Sequence, residues 1–157
     1  MYQKVERTRF PPERPLLVWD GNCGFCHYWV LRWRRMTGEA IQYAPYQKAG
    51  KQFPDIAEAR FREAAQLIEP SGRVFSGAAA AYHTFTYDST WAFLYDWYES
   101  APLFRRLSDA AYQWIARHRS FLFDVTKLLW GKDPRQPQPY WAYYLIGLLL
   151  LLFLLFR

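Results

Sequence analysis

At 157 residues the chain suits one domain of ordinary size with a usable core. Its hydrophobic fraction of 52% and aromatic fraction of 20% are rich for a soluble protein and fit a domain that meets a membrane. The net charge of +6 is spread along the chain, apart from a cluster at Arg32, Arg34 and Arg35. No nucleic-acid recognition motif accompanies that cluster, so no nucleic-acid partner is expected. The two cysteines exclude a structural disulfide framework of the secreted kind.

Residues 1–15 form a polar lead-in bearing Pro11, Pro12 and Pro15, without the apolar region of a signal peptide. Leu16 to Trp19 reads as a short buried strand, followed by an Asp20-Gly21 turn. A helix is expected from about Cys23 to Met36, with Phe25, Trp29 and Trp33 near one face and Gly38 as its C-cap. Ala40 to Ala44 alternates as a second strand, closed by Pro45. Pro54-Asp55 opens a short helix to about Arg60. Ala64 to Ile68 and Arg73 to Phe75 flank the turn Pro70-Ser71-Gly72 as a hairpin, and Ser76 is placed to cap a helix running through Ala78 to Phe85. Residues 89–98 and 102–123 are apolar-periodic and helical. The order strand, helix, strand, helix, hairpin is that of an α/β, thioredoxin-like fold: a small central sheet with flanking helices and extra C-terminal helices. The expected organisation is a lead-in at 1–15, the domain at 16–124, a basic proline-rich linker at 125–139 and a final segment at 140–156.

Both cysteines lie in Trp19-Asp20-Gly21-Asn22-Cys23-Gly24-Phe25-Cys26-His27, three positions apart at a strand-to-helix junction. That is how a redox dithiol is built. The first thiol sits at a helix N-terminus, where unsatisfied N–H groups and the helix dipole favour the reactive thiolate. The second, about one turn on, attacks the mixed disulfide and releases product. Cys23 is then the nucleophile and Cys26 the resolving thiol. The plain alternative is a pair of buried core fillers. No metal site is expected, because zinc wants four ligands and beyond the pair only His27, His83 and His118 are at hand. Cys23 to His27 also spells the c-type haem attachment pattern, with His27 as one axial ligand and Met36, His83 or His118 as the other. The strand entering the motif and the missing export signal argue against haem, and no cofactor is expected.

Tyr140 to Phe156 is an uncharged run of 17 residues, at the lower limit for crossing a bilayer as a helix. Tyr140, Trp141, Tyr143 and Tyr144 would form an interfacial aromatic belt, with Lys127, Lys132 and Arg135 just before it. This predicts a C-terminal transmembrane helix in contact with lipid, either a single-pass anchor or part of a larger membrane protein. The domain would face the cytoplasm.

The stretch Trp19 to Cys26 resembles the signature of the DCC family of thiol-disulfide oxidoreductase-like proteins. Ile41 to Gln47 looks like that family's second strand with its Ala-Pro-x-Gln ending. Ser71 to Phe75 looks like its hairpin, and Ala111 to Arg119 its closing helix, so the resemblance covers roughly residues 15–123. It implies a thioredoxin-like fold and a protein-disulfide reductase-like activity on a protein or small-molecule thiol or disulfide. Cys23 and Cys26 would be the redox pair. Asp20 would be the motif acid, capping the helix or relaying a proton to Cys26. Arg62-Glu63-Ala64-Ala65 departs from thioredoxins, which carry a cis-proline before the strand facing the dithiol. A non-catalytic module that senses redox state or binds a partner within a larger membrane protein is the alternative.

Overall fold

The structure is a computed structural model and describes residues 6–88, 90–131, 133 and 136–155. Its centre is β1, Leu16–Trp19, whose four residues are all buried. A strand covered on both faces reads as an unbroken apolar run. It pairs in parallel with β2, Gln42–Pro45, in the register Leu16 to Gln42 and Trp19 to Pro45. A parallel pair needs a long crossover, and α1, Gly24–Thr37, supplies it. On its other side β1 runs antiparallel to β3, Gln66–Ile68, which pairs antiparallel with β4, Val74–Ser76. The sheet order is β2-β1-β3-β4.

Alternation along the strands divides the core between the two faces. Leu16, Val18, Ile68 and Val74 pack with Tyr46, Ala49, Phe53, Ile56 and Phe61. Tyr46 and Ala49 come from α2, Tyr46–Ala49, Phe61 from α3, Glu58–Glu63, and Phe53 and Ile56 from the turns between them that follow a 3-10 turn at 50–52. Leu17, Trp19, Leu67 and Phe75 pack on the other face with Val30 of α1 and Ala80 of α4, Ala78–Thr84. Three more helices follow: α5, Ala92–Ser100; α6, Pro102–Arg117; and α7, Arg119–Trp130.

Several expected boundaries move for local reasons. The short helix begins at Glu58 rather than Pro54, because Phe53 to Ala57 form turns first. Ser76 does not cap α4. It ends β4 and its hydroxyl donates to Gln66 Oε1, while Gly77, at φ 63°, takes the N-cap position. The polar lead-in joins the fold from Glu6 onward. Thr8 N–H donates to the Gly72 carbonyl at 2.8 Å and Val74 N–H to the Glu6 carbonyl at 2.9 Å. Gly72 has φ 80°, and a Cβ there would lie 2.8 Å from the Thr8 carbonyl oxygen, so glycine is required.

The expected membrane helix is overturned. α8, Tyr140–Leu155, is a single helix of 16 residues. At 1.5 Å per residue it reaches about 24 Å, short of a hydrocarbon core of about 30 Å. Among the described residues no helix is long and apolar enough to cross a membrane. The lipid partner and the membrane location fall with it, and so does the cytoplasm-facing orientation drawn from the basic residues before the segment. Phe156, and Lys132 and Arg135 of the basic flank, lie outside the described residues. The fold class is therefore mixed α/β with a four-stranded sheet and extra C-terminal helices, none of which, among the described residues, is a membrane-crossing helix. By contacts the chain divides into two units, Met1–Arg119 and Ser120–Arg157. The sheet, and the site described next, belong to the first.

Candidate functional site

After Trp19 the chain leaves β1 through the turn Asp20-Gly21-Asn22. The Asp20 carbonyl accepts from Cys23 N–H at 3.0 Å, and Asp20 Oδ1 accepts from Asn22 N–H at 3.1 Å. Gln47, just past β2, clasps the turn from the side: its Nε2 donates to Asp20 Oδ1 and its Oε1 accepts from Gly21 N–H, both at 3.1 Å. Only a residue without a side chain fits at 21. A Cβ there would stand 2.7 Å from Pro45 Cβ and 2.8 Å from Gln47 Oε1.

The turn delivers Cys23 to the N-cap of α1 in extended conformation, and the Cys23 sulfur accepts the Cys26 N–H at 3.1 Å. The helix cap is thus the cysteine itself, while Asp20 ties the preceding turn. Cys23 and Cys26 form a disulfide with Cα atoms 5.2 Å apart, inside the usual range for such a bond. When the bond opens, a sulfur at this position faces the orphan N–H groups of the first helical turn. An accepted N–H bond and the helix dipole both favour its charged form.

Two distant residues complete the surroundings. Arg119 Nη1 lies 3.9 Å from the Cys26 sulfur, and its Nη2 donates to the Arg62 carbonyl at 2.8 Å. Tyr112 of α6 accepts the Ala65 N–H on its hydroxyl at 3.1 Å. Burial pushes the Tyr112 hydroxyl above its ordinary pKa, outweighing the Ala65 N–H bond and the Arg119 charge, so it remains a neutral phenol.

Cys26 stands on the wall of a cavity of about 570 Å³. Phe25, Trp29 and Trp33 line it as a ladder, with successive ring centroids 6.3 and 6.4 Å apart. These aromatics, expected on one face of α1, border this cavity together with α4 and α6, and Trp29 is exposed.

The other singled-out residues stand apart. His27 stacks on Trp19 with centroids 5.4 Å apart. His83 stacks on Phe75 at 3.9 Å and meets Glu69 Oε1 through Nε2 at 3.1 Å. His118 Nδ1 lies 2.8 Å from the Trp114 carbonyl oxygen of its own helix. Glu69 also accepts from the Tyr87 hydroxyl at 2.7 Å. The His83 hydrogen bond, against the effect of burial, holds its carboxyl below the ordinary range. By strand register this cluster sits at the end of the sheet opposite the disulfide, since Val18 pairs with Gln66 and Leu16 with Ile68. Among the described residues no group of three or more His, Cys, Asp or Glu stands together as a metal site.

Reading the sequence missed Arg119, Tyr112 and the cavity. Gln47 and Arg119 fall within stretches that resembled the family, yet nothing local marked them as neighbours of the dithiol. No curated protein and no solved structure gives a match to the chain. A family model described as DCC1-like thiol-disulfide oxidoreductase matches residues 17–125, which takes in β1 from Leu17, the disulfide, the cavity and α6. With well over half of its length matched and its cysteines in the Cys-x-x-Cys arrangement, the chain belongs to the DCC1-like thiol-disulfide oxidoreductase family.

Proposed function

We propose that Cys23 and Cys26 are the exchange centre of a disulfide reductase, with Cys23 the attacking thiol and Cys26 the resolving one. The observation that supports this most is the place of the Cys23 sulfur: at the N-cap of a 14-residue helix, accepting a main-chain N–H. A thiolate there is stabilised by the helix end, and thiolates are the nucleophiles of exchange. Cys23 attacks a substrate disulfide, one S–S bond breaks, and one thiol leaves. Cys26 then attacks the Cys23 sulfur of the mixed disulfide and expels the second thiol, closing the protein disulfide. The Arg119 guanidinium favours the Cys26 thiolate for that second attack. Asp20 fixes the turn that presents the pair, and as a carboxylate lining the same cavity as Cys26 it is the acceptor we assign to the Cys26 proton.

The test is turnover of a disulfide substrate with dithiothreitol as reductant. Cys23→Ser is expected to abolish turnover. Cys26→Ser, reduced, freed of dithiothreitol and then given the substrate, is expected to accumulate a mixed disulfide on Cys23, visible as an added mass. Turnover that survives Cys23→Ser would refute the assignment. A disulfide that opens and closes without any turnover would mark a redox-sensing module instead.

A further inference from the structure

The cavity beside Cys26 is too large and too apolar to be explained by exchange chemistry alone. Its volume of about 570 Å³ falls in the range of small-molecule pockets. Its walls are aromatic and aliphatic, from Phe25, Trp29 and Trp33 on α1 to Phe104, Leu107 and Ile115 on α6. Leu107 and Trp29 are exposed, so the cavity opens to solvent. Most of the polar groups at its edge are already engaged. The Tyr82 hydroxyl and Ser108 Oγ bond each other at 3.1 Å, the Tyr112 hydroxyl holds Ala65 N–H, and Glu63 pairs with Arg60 at 3.0 Å.

A peptide that docks by strand addition pairs with free main-chain groups, and most of those in the segment that would offer them are already taken. The Arg62 carbonyl accepts from Arg119 at 2.8 Å, and Ala64 N–H donates to the Arg60 carbonyl at 3.1 Å. The Ala64 carbonyl accepts from Gln66 Nε2 at 3.2 Å. Ala65 N–H is taken by Tyr112 at 3.1 Å, and the Ala65 carbonyl accepts from Gly77 N–H at 2.9 Å. What the cavity chiefly offers for recognition is apolar area next to the Cys26 sulfur.

We propose that this cavity is the substrate pocket and takes a low-molecular-weight disulfide with an aliphatic or aromatic body. The proposal rests on the dithiol reading above and adds a substrate class to it. The apolar arm lies along Phe25, Trp29 and Trp33 while Cys23, whose sulfur is bonded in the disulfide to that of cavity-lining Cys26, attacks the attached sulfur as a thiolate. The substrate S–S bond breaks and the first arm leaves as a thiol. Cys26 then displaces the second arm. In sum, one protein dithiol and one R–S–S–R give one protein disulfide and two R–SH, the two cysteine thiols supplying both protons. An external dithiol restores the reduced protein.

The experiment mixes the reduced, desalted chain at neutral pH with dibutyl disulfide or with hydroxyethyl disulfide, and follows oxidation by tryptophan fluorescence. Both are dialkyl disulfides and differ in the polarity and length of the arm. Dibutyl disulfide is expected to react about tenfold faster or more, from roughly two additional methylenes buried on one arm. Dibutyl sulfide, which fills the same space without an S–S bond, is expected to slow that reaction. Ala111→Trp, at an exposed position on the cavity wall, is expected to bring the two rates together while circular dichroism and melting match the unaltered chain. Equal rates in the unaltered chain, with no effect of dibutyl sulfide, would overturn the pocket and leave the dithiol reading standing. Faster reaction with an unfolded, disulfide-bonded peptide than with dibutyl disulfide would assign the site to proteins and overturn the proposal. No oxidation by any disulfide would sink the dithiol reading and the proposal together.

Discussion

The two sulfurs of this protein meet different surroundings, and in the proposed exchange that difference divides their roles. Cys23 is served by the helix N-terminus, through the Cys26 N–H at 3.1 Å. Cys26 is served by a full charge, the Arg119 guanidinium 3.9 Å away. Two unit charges about 4 Å apart interact by about 1 kcal/mol even at the dielectric constant of water, which corresponds to about 0.7 pKa unit. In a Cys23→Ser background, where Cys26 is the single thiol, Arg119→Met is expected to raise the Cys26 pKa by about that amount, and Arg119→Lys to restore most of it. Thiolate absorbance against pH reads the shift, and no change on losing the charge would remove Arg119 from the mechanism. Nothing in the sequence near Cys26 announces this partner, which lies 93 residues away. The dithiol itself was legible because its determinants are local: a buried strand, an Asp-Gly turn and two cysteines one helical turn apart. The requirement for Gly21 has the same local character on the surface, yet its cause, the approach of Pro45 and Gln47, becomes visible only once β2 lies beside β1.

Elements were legible where period and punctuation agree. β1 is found as Leu16–Trp19, the boundaries expected from its unbroken apolar run. The hairpin strands lie within a residue or two of expectation, because Pro70-Ser71-Gly72 fixes the turn between them. The start of α4 was misread for a physical reason. Ser76 is a good cap by type, but its hydroxyl is claimed by buried Gln66, and Gly77 supplies the positive φ that the strand-to-helix corner needs. α6 was legible as a helix but not as a wall of the site, since amphipathic periodicity does not say which element the apolar face meets. Its link to the segment before β3 is the Tyr112 hydroxyl. Tyr112→Phe leaves Ala65 N–H without its acceptor, and an unpaired main-chain donor costs about 1–3 kcal/mol. Urea unfolding is expected to show a loss of that size. An unchanged midpoint would mean that Tyr112 does not tie α6 to the sheet.

For the molecule as a whole, length and composition bounded the answer better at one end of the chain than at the other. The apolar C-terminal run counts as long on paper, yet only Tyr140–Leu155 is described as helix, and 16 residues do not make a span. At the N-terminal end the polar composition concealed a structural role, because Thr8 and Arg9 anchor the chain on Asp55. Burial works against the Asp55 charge, but the Arg9 N–H and the Thr8 hydroxyl outweigh it and hold the carboxyl below its ordinary pKa. A carboxyl lowered in the folded state contributes stability above its unfolded pKa, and that contribution is lost as pH falls through the folded value. The melting-temperature gap between the unaltered chain and Asp55→Asn is therefore expected to be constant above about pH 5 and to narrow below about pH 4. A gap that stays constant into that acid range would show that the Asp55 charge does not hold the N-terminal segment. The most direct test of the central claim is the pH dependence of alkylation of the reduced protein. The expected result is a thiol that titrates well below the free-cysteine value of about 8.5 and disappears in Cys23→Ser; a profile with no thiol titrating below about 8.5 would contradict a thiolate stabilised at the head of α1.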